Sequence, residues 1–99
     1  MIRHIVMWKL KAEDAEGKAA AVAAIAAALE PLANEIAGIS SLRVHANSAF
    51  FDVNWDAALI GDYDSLAALE AYQVHPSHVV AAAIVREYTA QRTAVDIEL

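Results

Sequence analysis

The first strand predicted by the sequence has two apolar faces, which is the strongest constraint on the fold. The segment Ile2–Leu10 is rich in β-branched and aromatic residues, as strands are. Side chains alternate between the two faces of a strand. One face carries His4, Val6 and Trp8, and the other face carries Arg3, Ile5, Met7 and Lys9. Because the middle residues of both faces are apolar, we expect this strand to be covered on both sides.

A helix with one apolar stripe is predicted to follow. The stripe is formed, at helical spacing, by Val22, Ile25, Leu29, Leu32 and Ile36. Within this segment Pro31 lacks a backbone N–H and would clash with the preceding helical turn. We therefore expect the helix to end near Leu29, with a short extra turn before Gly38.

Three further strands and a broken helix complete the pattern. The segments that read as strands are Ser40–Ser48, Trp55–Tyr63 and Thr89–Ile97, with a loop around Phe50–Asn54. Asp64 can cap a helix whose inner face is Leu66, Leu69 and Tyr72 or Gln73. Because Pro76 disfavours helical geometry at His75, the helix should break there and restart. The inner face predicted for the restarted helix is Val79, Val80, Ala83 and Ile84.

This order of elements predicts a single α+β domain over residues 1–99. It is the ferredoxin-like βαββαβ arrangement, with a four-stranded antiparallel sheet and helices on one face. The other sheet face, which includes Ile5 and Met7, then has no cover within the chain. The hydrophobic fraction of 59% is also high for so short a chain. Both observations predict a homodimer in which two sheets face each other.

The composition argues against several classes of function. The chain has no cysteine, so it can form neither a disulfide nor a Cys-ligated metal site. The formal net charge is −6 and the basic residues are scattered, which argues against nucleic acid and anionic membrane surfaces as partners. No Gly-rich phosphate loop or established metal-ligand motif is present, so we expect no cofactor and no metal. No signal peptide or membrane span is recognisable, so we expect a cytoplasmic protein.

Titratable side chains gather around the predicted helix break, in the segment Tyr72-Gln73-Val74-His75-Pro76-Ser77-His78. An imidazole can move a proton near neutral pH, and a phenol beside it can polarise an oxygen. If the His4 face of the first strand meets the helices, these groups converge on a small pocket. We predict Tyr72 and His78 as catalytic candidates, and His4, Trp8 and His75 as substrate-binding candidates.

Each candidate also has a purely structural explanation. His75 can close the helix break by bonding to backbone groups, and His78 can be a surface residue of a first helical turn. Tyr72 and Trp8 can be core aromatics, and His4 can be a strand histidine with a local hydrogen bond. The sequence leaves both explanations open.

Four segments have a distinctive sequence: residues 1–11, residues 62–66, residues 69–78 with their Tyr-x-x-His-Pro-x-His pattern, and Val95-Asp96. Together they resemble the stress-responsive A/B barrel domain family. The resemblance extends over essentially the whole chain. It implies a dimeric α+β barrel formed by two ferredoxin-like sheets. In the related plant polyketide cyclases, the Tyr and the second His of this pattern are an acid–base pair that needs no cofactor. This implies the same roles for Tyr72 and His78, with His4 lining the pocket.

One departure from those cyclases leaves the reaction open. They have a further His on the third strand, where this chain has Ala57. We therefore consider a homodimeric stress-response protein that binds a small apolar or aromatic molecule. The alternative is a cofactor-independent enzyme of the cyclase or lyase type. A third possibility is a structural protein whose dimers stack into larger rings.

Overall fold

The chain forms its elements in the order β1 (Ile2–Leu10), α1 (Ala15–Leu29), α2 (Leu32–Glu35), β2 (Ile39–Ala46), β3 (Ala57–Tyr63), α3 (Leu66–Val74), α4 (Pro76–Tyr88) and β4 (Thr89–Glu98). The computed structural model describes all 99 residues. The strands form one antiparallel sheet in the order β2-β3-β1-β4. The helices pack on one face of it, here called the inner face, and the opposite face is the outer face. The predicted ferredoxin-like fold is confirmed.

Strand β1 divides its side chains between the two faces as predicted. Val6 and Trp8 are buried on the inner face, where the core lies between sheet and helices. On the outer face, Ile5 is half-buried and Met7 is exposed. The inner face of this strand therefore supplies the floor of the core, and its outer face is open to a partner.

The first helical segment ends where the proline requires it. The Asp14 carboxylate caps α1 by accepting a hydrogen bond from the backbone N–H of Gly17 at 2.9 Å. The helix ends at Leu29, and Pro31 precedes the single turn of α2. Gly38, at a φ of +88°, adopts the left-handed conformation that directs the chain into β2. The predicted interruption is confirmed.

The break between α3 and α4 contains no loop. His75 is both the C-terminal cap of α3 and the N-terminal cap of α4, and its backbone is extended. Its Nδ1 accepts a hydrogen bond from the backbone N–H of Ser77 at 3.1 Å, and Pro76 is the first residue of α4. The predicted break at His75 is confirmed. The predicted cap of α3 is wrong, because the Ser65 hydroxyl, and not Asp64, accepts from the Ala68 N–H.

The inner face predicted for α4 is wrong. Its larger apolar residues Val79, Val80 and Ile84 are exposed, whereas Ala81 and Val85 are buried. Helix α4 packs against α1, whose own inner face includes buried Ala21. The packing of α4 against α1 thus sets the rotation of the helix about its axis, so that Ala81 and Val85 lie inward and Val79, Val80 and Ile84 lie on the exposed side.

Two further predictions need correction. Leu66 was expected on the inner face of α3, but it lies in the first turn and is exposed. Strands β2 and β3 are also shorter than predicted, since residues 47–56 form the connection between them. There the Asn47 amide donates to the Ala49 carbonyl at 2.8 Å, which favours a turn over a strand.

The outer face of the sheet is apolar and has no cover within the chain. The strand registers place Ile60, Ile5 and Val95 side by side across three strands. Val95 is 53% exposed and Ile60 is 37% exposed. None of the helices combines the length and the apolar character needed to cross a membrane.

Candidate functional site

A cavity of about 410 Å³ lies between the inner face of the sheet and the helices α1, α3 and α4. A volume of this order accommodates a small organic molecule. Its walls are formed by His4, Val6, Trp8, Leu29, Leu59, Tyr72, Gln73, His78, Ala82, Val85, Arg86, Thr89 and Arg92. About half of the lining residues are apolar. The polar groups in the lining include those of His4, Tyr72 and His78, which the sequence predicted as site residues.

The structure brings together four of the five predicted site residues. The alternation of β1 directs His4 and Trp8 into the cavity. The break at His75 places Tyr72, in the last turn of α3, against His78, in the first turn of α4. Their ring centroids are 4.3 Å apart.

His75 does not line the cavity. Its imidazole is engaged in capping α4 through Ser77, which is the structural explanation considered above. The expectation that His75 binds substrate is therefore not supported by its position. His75 contributes to the site indirectly, because the helix break that it caps brings the last turn of α3 next to the first turn of α4.

His4 is held by an acidic partner from the neighbouring strand. It is 3% exposed, and its Nδ1 donates a hydrogen bond to the carboxylate of Asp96. The two residues are directly opposite each other in the register of β1 and β4. With Nδ1 as the donor, Nε2 of a neutral ring is an acceptor. Asp96 was not predicted, although its alternation in β4 places it on the inner face.

His78 is arranged as a neutral acceptor. Its Nδ1 donates to the backbone carbonyl of Gln73 at 3.1 Å, which leaves a lone pair on Nε2. Burial lowers the pKa of His78, and the charges of His4, Arg92 and Arg86 lower it further, against the opposing effect of the Gln73 carbonyl. The imidazole is therefore unprotonated at neutral pH and can accept a proton.

The hydroxyls of Tyr63, beside the cavity, and Tyr72, in its wall, make no well-formed hydrogen bond within the protein, although the two phenols are close enough to influence each other's pKa. Both Tyr63 and Tyr72 are buried, and burial raises the pKa of each phenol. An unsatisfied buried donor costs about 1–3 kcal/mol. Since Tyr72 lines the cavity, a ligand oxygen that accepts from its hydroxyl would recover part of this cost.

Tyr63 is a further residue beside the site that the sequence analysis did not predict. Its ring lies between those of His4 and Tyr72, with centroid separations of 6.1 and 5.1 Å. Gly61 makes the room for it, because a Cβ on Gly61 would stand 2.9 Å from Cε1 of Tyr63. The sequence signal for this packing is Gly61, which stands two residues before Tyr63 on the same face of β3.

The lowered pKa of His78 can be measured directly. We expect the midpoint of its NMR titration to lie below the ordinary histidine value of about 6.5. Arg92→Gln should raise the midpoint because it removes a nearby positive charge, whereas Arg43→Gln on the outer face should leave it unchanged. A His78→Gln variant assigns the signal. A midpoint at or above the ordinary value would contradict the description of His78 as a half-buried neutral acceptor.

The fold and this site are those of a small ferredoxin-like protein with a cavity between its sheet and its helices. The family model of the Stress responsive A/B Barrel Domain matches residues 2–99. The chain therefore belongs to the stress-responsive A/B barrel domain family. Nowhere in the 99 residues do three or more His, Asp or Glu side chains gather to hold a metal ion.

Several solved structures are similar to this chain. A dimeric protein of unknown function and ferredoxin-like fold from Bacteroides fragilis is 31% identical, with a TM-score of 0.85 and coverage of 99% of this chain and 95% of that one. A dimeric ferredoxin-like protein of unknown function from Jannaschia sp. is 26% identical, with a TM-score of 0.81 and coverage of 99% and 98%. The hydroxynitrile lyase of Passiflora edulis, 13% identical with a TM-score of 0.73 and coverage of 97% and 90%, shares the fold. No curated protein is close enough to this sequence to count as a match.

Proposed function

We propose that this chain forms a homodimer and that each protomer binds a small, largely apolar molecule in the cavity between its sheet and its helices. The observation that supports binding most strongly is the cavity itself, with its apolar walls and its unpartnered Tyr72 hydroxyl. A ligand with an aromatic or aliphatic body and one oxygen near Tyr72 would match both features.

The dimer is supported by the outer face of the sheet. Its apolar row of Ile60, Ile5 and Val95 lacks a cover, and packing against a second copy would remove it from water. The similar proteins from Bacteroides fragilis and Jannaschia sp. are dimeric. Because side chains of β1 alternate, the proposed interface and the cavity lie on opposite faces of the same strand.

Filling the cavity tests the binding function. Ala82 lines the cavity on α4, whereas its neighbour Ala83 is exposed. We expect Ala82→Trp to weaken binding of indole, a neutral apolar probe, by about tenfold or more, because the new side chain occupies the space of the ligand. Ala83→Trp is the matched control and should bind indole as the unsubstituted protein does. Calorimetric titration measures both, and equal affinities for the two variants would place indole outside the cavity.

A second function, acid–base catalysis without a cofactor, is favoured by one specific observation. The bond from His78 to the Gln73 carbonyl, together with the lowered pKa, leaves Nε2 free to remove a proton. The raised pKa of Tyr72 keeps its hydroxyl protonated, so it can donate a hydrogen bond to an oxygen on which negative charge develops. Abstraction of a proton next to a carbonyl group would use both residues in these roles.

The cyclase-like reaction implied by the family resemblance would have to proceed here without one histidine of the plant cyclases. The third-strand position that is His in those cyclases is Ala57, which lies opposite Trp8 in the strand register and does not line the cavity. The groups in this cavity that can take part in acid–base chemistry are His4, Tyr72 and His78. The hydroxynitrile lyase similarity is too distant to indicate more than the shared fold.

A further inference from the structure

The cavity is lined by two arginines and by no acidic side chain. Arg86, in the last turn of α4, and Arg92, on β4, both lie in its wall. The protein as a whole has a net charge of −6, so a positive cavity is opposite in sign to the molecule that contains it. The carboxylate of Asp96 is close by, but it is engaged by His4 and is not part of the wall.

These two arginines have no partner within the chain. Arg3 is paired with Asp62, and Arg43 lies near Glu30, whereas neither Arg86 nor Arg92 makes an ion pair or a side-chain hydrogen bond. Each guanidinium therefore has five unused N–H donors in a planar fork. The last turn of a helix favours a positive charge, which gives Arg86 a structural reason. Both arginines are exposed, and Arg92 lies on the edge strand β4, so both guanidiniums are accessible to a ligand at the cavity wall.

The charge of both arginines reaches the predicted catalytic pair. Arg92 and Arg86 each lower the pKa of His78, and Arg92 opposes the rise in the pKa of Tyr72. An anionic group bound between the guanidiniums would therefore lie beside the polar end of the cavity. The apolar walls would receive the rest of the molecule.

We infer that the ligand of this cavity is a small carboxylic acid with an apolar body, whose carboxylate is bound by Arg86 and Arg92. The inference rests on the proposed binding function and specifies its ligand class. The planar guanidinium fork matches a carboxylate in geometry. A singly charged group is favoured over a phosphate, since Arg86 stands at the C-terminal end of α4, where the helix dipole disfavours accumulated negative charge.

The test compares two probes of nearly the same shape, cinnamate and cinnamamide, by calorimetric titration of the full-length protein at neutral pH. Cinnamate should bind about tenfold more tightly than cinnamamide, and this preference should fall as salt is added. Arg86→Gln and Arg92→Gln should each reduce the preference, and the double variant should abolish it while binding of the amide persists. Arg43→Gln, at an arginine outside the cavity, should retain the preference.

Every outcome distinguishes this inference from the proposed function on which it rests. Equal affinity for the two probes would overturn the carboxylate assignment and leave an apolar binding cavity. A preference that survives in the double variant would also overturn it, because the anion would then be bound elsewhere. If neither probe binds and indole does not bind either, the proposed binding function itself fails.

Discussion

Ile5→Lys on the outer face of the sheet is expected to convert the dimer into a monomer. Ile5 is at the centre of the row that includes Ile60 and Val95, and a facing sheet would bury its substituent. An unpaired buried charge costs about 3–5 kcal/mol. In a two-fold symmetric interface the substituted residue is present in both protomers, so the cost in association free energy arises twice. We therefore expect the dissociation constant to rise by at least about 10³-fold.

Sedimentation equilibrium measures this change, and two further variants make the result specific. Val95→Lys alters the same row at a more exposed edge strand and should also give a monomer with less risk to folding. Val79→Lys places the same charge on the exposed side of α4 and should leave the dimer intact. A monomeric unsubstituted protein would refute the dimer, and a dimeric Ile5→Lys variant would locate its interface elsewhere.

Loss of His78 is expected to remove base catalysis in the cavity. Nitrobenzisoxazole is a compact apolar probe whose C–H proton is taken by a base while its N–O bond breaks to give a coloured cyanonitrophenolate. With Nε2 of His78 as the base, His78→Ala should lower the saturable rate by about 10²–10⁴-fold. Tyr72→Phe should lower it as well, since the hydroxyl can donate to the oxygen that becomes negative.

The pH dependence identifies the base. Only neutral imidazole accepts a proton, and the pKa of His78 is lowered by burial. The rate should therefore rise with pH through a midpoint below about 6.5 and be constant at neutral pH and above. This midpoint should agree with that of the NMR titration. His45→Gln, at an exposed histidine on the outer face, is the matched control, and a rate that depends on His45 but not on His78 would contradict the assignment.

The architecture and part of the candidate site could be predicted from rules that relate neighbouring residues to local structure. The alternation in β1 predicted which side chains enter the core, and Pro76 predicted the break that joins Tyr72 to His78. These features follow from strand geometry and from the steric restriction that a proline places on the residue before it, which depend only on neighbouring residues. The convergence of His4 with the helix break then followed from placing the helices on one face.

The remaining features depend on contacts between distant segments. The inner face predicted for α4 was wrong because packing against α1 sets the rotation of the helix about its axis, and this leaves Val79 exposed while Ala81 and Val85 are buried. The Asp96 partner of His4 required the register between β1 and β4, which periodicity does not specify. Tyr63 entered the site through the space left by Gly61, and this is a matter of packing rather than of residue type.

Because side chains alternate along the nine residues of β1, the two faces of this strand have different surroundings. Even-numbered positions face the helices, and three of them line the cavity, whereas odd-numbered positions lie on the outer face of the sheet. Under the proposed function, point substitutions within this one strand would change ligand binding and dimer formation independently of each other. A gain or loss of a single codon in its middle would exchange the two sets, so such indels should be strongly selected against.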